Sequence, residues 1–131
     1  MGRVKNLDEI KAMIRDRTGK RNIFRRAKRE DVESVLANLT SKDPEQWAAE
    51  WSRVAKPYEQ EAGRHEQAGR LKDARDAYVQ AYTYYATGRY PVPHTAGKQE
   101  CFRKSLEMYE KAGRYFQPAL QKVTIPFGDQ A

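Results

Sequence analysis

With 131 residues, 39% hydrophobic and 33% charged, the chain can form one domain with a modest core, and its charge suits amphipathic helices better than a deeply buried sheet. No run approaches the ~20 apolar residues of a membrane span, residues 1–17 lack the apolar centre of a secretory signal, and Asn6 breaks the myristoylation pattern after Gly2. The net charge of +7 leaves nucleic acid or an acidic surface open as partners, while a lone cysteine, Cys101, excludes an internal disulfide framework and points to a reducing cytoplasm.

Residues 1–42 hold twelve Lys/Arg against six Asp/Glu, so nearly all of the net charge lies in an N-terminal arm. Asn6 or Asp8 can open a first helix over Leu7–Arg17, with Leu7, Ile10, Met13 and Ile14 on one face, and "TGKRN" ends it. Arg15, Arg17, Lys20, Arg21, Arg25, Arg26, Lys28 and Arg29 follow one another with only Asp16 among them, a candidate basic patch. The plainer reading of that patch is a solvated arm, because only Phe24 is present to stack on a base. A short helix over Arg29–Asn38 then presents Val32, Val35 and Leu36.

"TSKDP" marks a boundary, with Asp43 as N-cap, Pro44 at the first helical position and Gln46 at capping-box spacing. The third helix is predicted over residues 44–68, its stripe carried by Trp47, Trp51, Val54, Tyr58 and His65, with a kink or break near Val54 caused by Pro57. "AGR" at 68–70 supplies the turn. A fourth helix over 71–86 is expected to bury Leu71, Ala74, Tyr78, Ala81 and Tyr85, with Tyr84 turned about 120° from the stripe's centre. After the stiff "TGRYPVPHTAG" loop, a fifth helix over 97–116 stacks Phe102, Leu106, Tyr109, Gly113 and Phe116. Pro118 marks its exit, and residues 122–127 read as one short β-strand that cannot pair with itself.

Catalytic patterns do not emerge. No serine lies between glycines as a nucleophile elbow needs, His65 and His94 stand apart, and neither a cysteine pair nor a phosphate-cradling loop occurs. Metal binding is not argued by any spacing, and no cofactor is implied. Five tyrosines crowd residues 78–90, more than one helical hairpin can bury, which suits an interface or a cavity wall as well as a core.

The order of these pieces is informative. A Trp-bearing helix, then "ARDAYVQAYTYYATGRYPVP", a helix "CFRKSLEMYEKAGRYFQP" and finally "VTIPFGD" resembles the N-terminal helical segment of one group of α/β-hydrolases. That group includes enzymes similar to dihydroxypseudooxynicotine hydrolase, the fungal polyketide-shortening hydrolases and the fermentation–respiration switch esterase-like proteins. The likeness covers residues 44–129; the basic run of residues 1–42 is not a feature of the group.

The resemblance implies a mostly α fold of about five helices in antiparallel hairpins, ending in a strand that begins a catalytic sheet outside this chain. The domains would be a basic helical arm (1–42), a hairpin or cap domain (43–121) and the first strand of that sheet (122–131). It further implies a cap over the substrate pocket of a serine-type hydrolase, with the catalytic Ser, acid and His on later segments. The implied partners are the catalytic domain, a small ester or ketone substrate and, where the cap also forms an interface, a second copy of the chain. Tyr84, Tyr85, Tyr90 and His94 are the implied substrate-lining residues. Two other readings stay open: a tetratricopeptide-like helical adaptor, suggested by the "AGRLKDARDAYVQAYTYY" hairpin, and a basic nucleic-acid binder.

Overall fold

The first element begins with a reciprocal cap. Asn6 Oδ1 accepts from the Glu9 amide at 2.9 Å, and Glu9 Oε1 accepts from the Asn6 amide at 3.1 Å, satisfying two donors that a helix start leaves free. In the computed structural model, which describes residues 5–20 and 24–116, this cap opens α1, Leu7–Arg17. The helices α2 (Arg29–Asn38), α3 (Pro44–Gln67), α4 (Leu71–Gly88) and α5 (Ala96–Gly113) follow, so the described residues are mostly helical, as expected. The strand expected over 122–127 and the exit at Pro118 lie outside the described residues.

Helix α3 is continuous through Pro57, contrary to any break there. Pro57 is exposed, so the carbonyl it deprives of a partner faces water rather than the core. The start of α3 also differs from a capping box. Asp43 accepts from the Glu45 amide at 3.3 Å, while Gln46 turns back to accept from the Thr40 and Ser41 amides, at 3.1 Å each. Gln46 therefore braces the α2–α3 connection rather than the helix end. Gly69 supplies the turn into α4 with φ of 76°, a conformation only glycine adopts cheaply.

α3 and α4 make the most extensive contact in the fold, followed by α4 and α5. Buried Ala48, Ala55 and Ala62 recur every seventh residue along α3, and Ala74, Ala77 and Ala81 do the same service on α4. Small side chains on both helices let the backbones approach, and large ones fill the ends. Trp51, wholly buried, stacks on Tyr84 at 5.9 Å between ring centres and meets Trp47 edge-on at 5.7 Å. Its Nε1 is buried with no hydrogen-bond partner among the described residues.

The arm is part of this core. Ile14, Phe24, Val32, Val35 and Leu36 belong to the same buried cluster as Trp51 and Tyr84. That changes the account of Tyr84: it is fully buried rather than turned away, because the arm covers the side of α4 that a lone hairpin would leave open. Two other expectations fail. Leu71 is 48% exposed, since the first residue of α4 tilts its side chain back past the helix end. And α5 buries a different face from the one its large residues mark: Cys101, Ser105, Met108 and Ala112 point inward, while Phe102, Leu106 and Tyr109 are exposed.

Candidate functional site

The buried tyrosines are tied to three carboxylates. Asp31, on α2, accepts from the hydroxyls of Tyr58 and Tyr84 at 2.6 Å each, and the Tyr84 oxygen accepts from the Lys28 amide at 2.9 Å. Glu59 accepts from Tyr85 at 2.7 Å and from the Lys104 ammonium at 2.6 Å. Glu66 accepts from Tyr78 at 2.6 Å and from Tyr115 at 2.5 Å. Burial, and then the hydrogen bond to a carboxylate, pushes Tyr58, Tyr78, Tyr84 and Tyr85 well above the ordinary phenol range. These phenols are neutral donors that join helices, not acid–base groups.

The four implied substrate-lining residues are not brought together. Tyr84 and Tyr85 are buried and bonded to different helices, Asp31 on α2 and Glu59 on α3. Tyr90 is 37% exposed in the α4–α5 connection. His94 is exposed there too, its Nδ1 2.9 Å from the Val92 carbonyl oxygen. His65 lies at the end of α3 and accepts from Arg70 Nε at 3.0 Å. Among the described residues no group of three or more His, Cys, Asp or Glu could hold a metal ion.

Tyr90 does border a cavity of about 220 Å³, walled by apolar side chains of α1, the α2–α3 connection and the start of α3, among them Ile10, Met13, Leu39 and Trp47. Lys98 closes one side; it is only 5% exposed, and its Nζ donates to the Tyr90 carbonyl at 2.9 Å. Burial lowers the Lys98 pKa from its ordinary value. Sequence reading missed this lysine, since nothing in "GKQEC" separates it from the exposed cations around it.

Cys101 is buried with its Sγ 3.1 Å from Ser52 Oγ, and burial raises the thiol pKa, which keeps it from acting as a nucleophile. The second surface feature is the outer side of α5. Phe102, Leu106 and Tyr109, spaced as one helical face, are 39%, 56% and 41% exposed, and the Tyr109 ring packs at 5.2 Å on Tyr82 and 5.7 Å on Phe116.

The basic patch is partly neutralised. Arg15 Nε lies 3.0 Å from Glu33, Lys20 pairs with Asp16 at 3.6 Å, and Arg29 donates to the Arg15 carbonyl. The Lys28 ammonium lies over the Tyr58 ring at 5.1 Å, and the Arg26 carbonyl accepts from Gln80. Arg17 is half-buried, Arg25 and Arg26 are exposed, and Arg21 lies outside the described residues. No helix of the described residues is long and apolar enough to cross a membrane.

Comparison with known proteins gives two distant similarities. Over 100 residues, 76% of this chain, it is 27% identical to alpha/beta hydrolase xenA of Xenoacremonium sinensis, matching 24% of that protein. Over 98 residues, 71% of this chain, it is 24% identical to alpha/beta hydrolase ucsC of Acremonium sp., matching 20% of it. The chain thus spans a quarter or less of the length of these curated relatives. No protein-family model and no solved structure matches it. Both similarities support a distant relationship to α/β-hydrolases.

Proposed function

We propose that this chain is the helical cap of an α/β-hydrolase, akin to the N-terminal segment of the dihydroxypseudooxynicotine hydrolase group. The cap rests on the catalytic domain through the outer face of α5 and screens the substrate pocket from water. The observation that carries this reading is the aligned row of Phe102, Leu106 and Tyr109. Scattered apolar residues are ordinary on a surface, but three at consecutive turns of one helix form a face that another body covers. The distant similarity to two hydrolases, each matched over a minor part of its length, supports the same assignment. Tyr90 and His94, exposed in the α4–α5 connection, are the proposed pocket-wall residues. Tyr84 and Tyr85 hold that connection's parent helix from behind.

The chain itself presents no triad among its described residues, so the chemistry belongs to the catalytic domain. The test has two stages. The reading frame that carries this chain is sequenced beyond residue 131, where a G-x-S-x-G elbow followed by Asp and His is expected. The full product is then assayed on nitrophenyl esters with and without Leu106→Asp. Loss of hydrolysis with unchanged helical circular dichroism supports the cap. A stop codon directly after Ala131, or full activity in Leu106→Asp, overturns it.

A further inference from the structure

We infer that the cavity between α1, α3 and Tyr90 is a binding site for a small apolar monocarboxylate, its ring or chain among Ile10, Met13, Leu39 and Trp47 and its carboxylate on the Lys98 ammonium. Size sets the first limit. An enclosed apolar cavity of about 150 Å³ admits benzene, and this half-open pocket of about 220 Å³ has room for one ring, or a chain of similar bulk, with a small headgroup toward its rim. The lining sets the second, since its long side chains are almost wholly apolar and favour hydrocarbon over a sugar or nucleotide.

Charge sets the third. Among the described residues that line it, Lys98 and Lys42 are the charged ones and none is acidic. An ammonium carries three donors. One of those of Lys98 is used on the Tyr90 carbonyl, and among the described residues no carboxylate pairs with the group. The nearby carboxylate of Glu45 is engaged elsewhere, both of its oxygens accepting from the Gly97 amide, at 3.1 and 3.0 Å. A buried cation lacking a counter-ion is costly. Burial lowers its pKa although the nearby Glu45 charge acts the other way, and an entering carboxylate would offset that desolvation. The site shares Tyr90 with the proposed pocket wall but no residue with the outer row of α5, and its test reads binding rather than hydrolysis, so its failure is distinguishable from that of the cap assignment.

Benzoate and its neutral counterpart benzamide are the probes, titrated into the whole chain by calorimetry, with Trp47 emission as a second readout. Saturable benzoate binding is expected, with benzamide weaker by roughly tenfold or more, the usual worth of a charge-assisted hydrogen bond. Lys98→Met should erase that preference. Met13→Trp, which fills the space from the α1 side, should abolish binding of both while circular dichroism stays unchanged. The inference is overturned if benzoate fails to saturate at concentrations on the order of tens of millimolar, or if benzamide binds as well as benzoate. It is equally overturned if Met13→Trp leaves benzoate binding intact. If Lys98→Met unfolds the chain, the probe pair and Met13→Trp still decide.

Discussion

Helices α4 and α5 are each eighteen residues long and are neighbours in the fold, yet they use their large side chains in opposite ways. On α4 the aromatic residues Tyr78, Tyr84 and Tyr85 are buried, and Ala74, Ala77 and Ala81 form the seam between them. On α5 the seam residues Cys101, Ser105 and Ala112 face inward with Met108, and the large Phe102, Leu106 and Tyr109 face out. A close helix crossing selects small residues, not the most apolar ones. α4 packs against α3 and α5 and is bonded to the arm through Lys28 and Asp31, so its large residues have somewhere to go. α5 packs against α4 and α3, and its outer row stays part-exposed among the described residues.

The sharpest way to break this contrast is to truncate one residue on each side of it. Trp51→Ala removes the ring on which Tyr84 stacks and should destabilise the fold by about 3–5 kcal/mol in urea unfolding. Asp31→Ala comes next: it strands the Tyr58 and Tyr84 hydroxyls, an expected loss of about 1–3 kcal/mol, and releases the arm from α4. Restoration of most of that loss by Tyr84→Phe in the same background would confirm the stranded phenol as its cause.

Gly88→Ala tests the closeness of the crossing. A Cβ there would come 2.6 Å from Cys101 Sγ and 3.3 Å from Trp51 Cβ. The expected loss is about 1–2 kcal/mol, with partial rescue by Cys101→Ala, which removes the nearest atom. Leu106→Ala should change stability by less than about 0.5 kcal/mol, because the side chain is already half in water. A larger loss would mean that the outer face of α5 is covered in solution.

The smallest effect expected is one of pH. Hydrogen bonds from Tyr115 and then Tyr78 hold the Glu66 carboxyl below its ordinary pKa of 4.5. A group depressed in the native state contributes stability above its unfolded pKa and loses it as pH falls through the native one. Unfolding free energy should therefore decline as pH drops below about 4.5. Tyr115→Phe with Tyr78→Phe should make that decline shallower in parallel urea titrations at pH 6 and pH 3.

Much of the secondary structure was legible because its signals are local. The cap at Asn6, Asp43 before Pro44 and the turn at Gly69 each act within a few residues, and the starts of α1 and α3 and the α3–α4 turn follow from them. Which face of α5 turns inward was not legible. Two faces are apolar enough to be buried, and the choice depends on what α4 offers opposite, notably the absence of a side chain at Gly88. The burial of Tyr84 was hidden for the same kind of reason: it requires Asp31, 53 positions earlier, to supply the acceptor. The cavity beside Lys98 depends on three separate parts of the chain converging, which no spacing along one of them reveals.

The indole of Trp51 has a further consequence, for isotope exchange. Its N–H is sealed in the core without an acceptor among the described residues, whereas that of Trp47 donates to the Thr87 carbonyl at 2.8 Å near the end of α4. No single hydrogen bond governs the Trp51 proton, so in deuterated solvent it exchanges only when the packed rings part. The Trp47 proton exchanges whenever the end of α4 frays. Two indole resonances in one spectrum thus time two events, local fraying and opening of the whole interior.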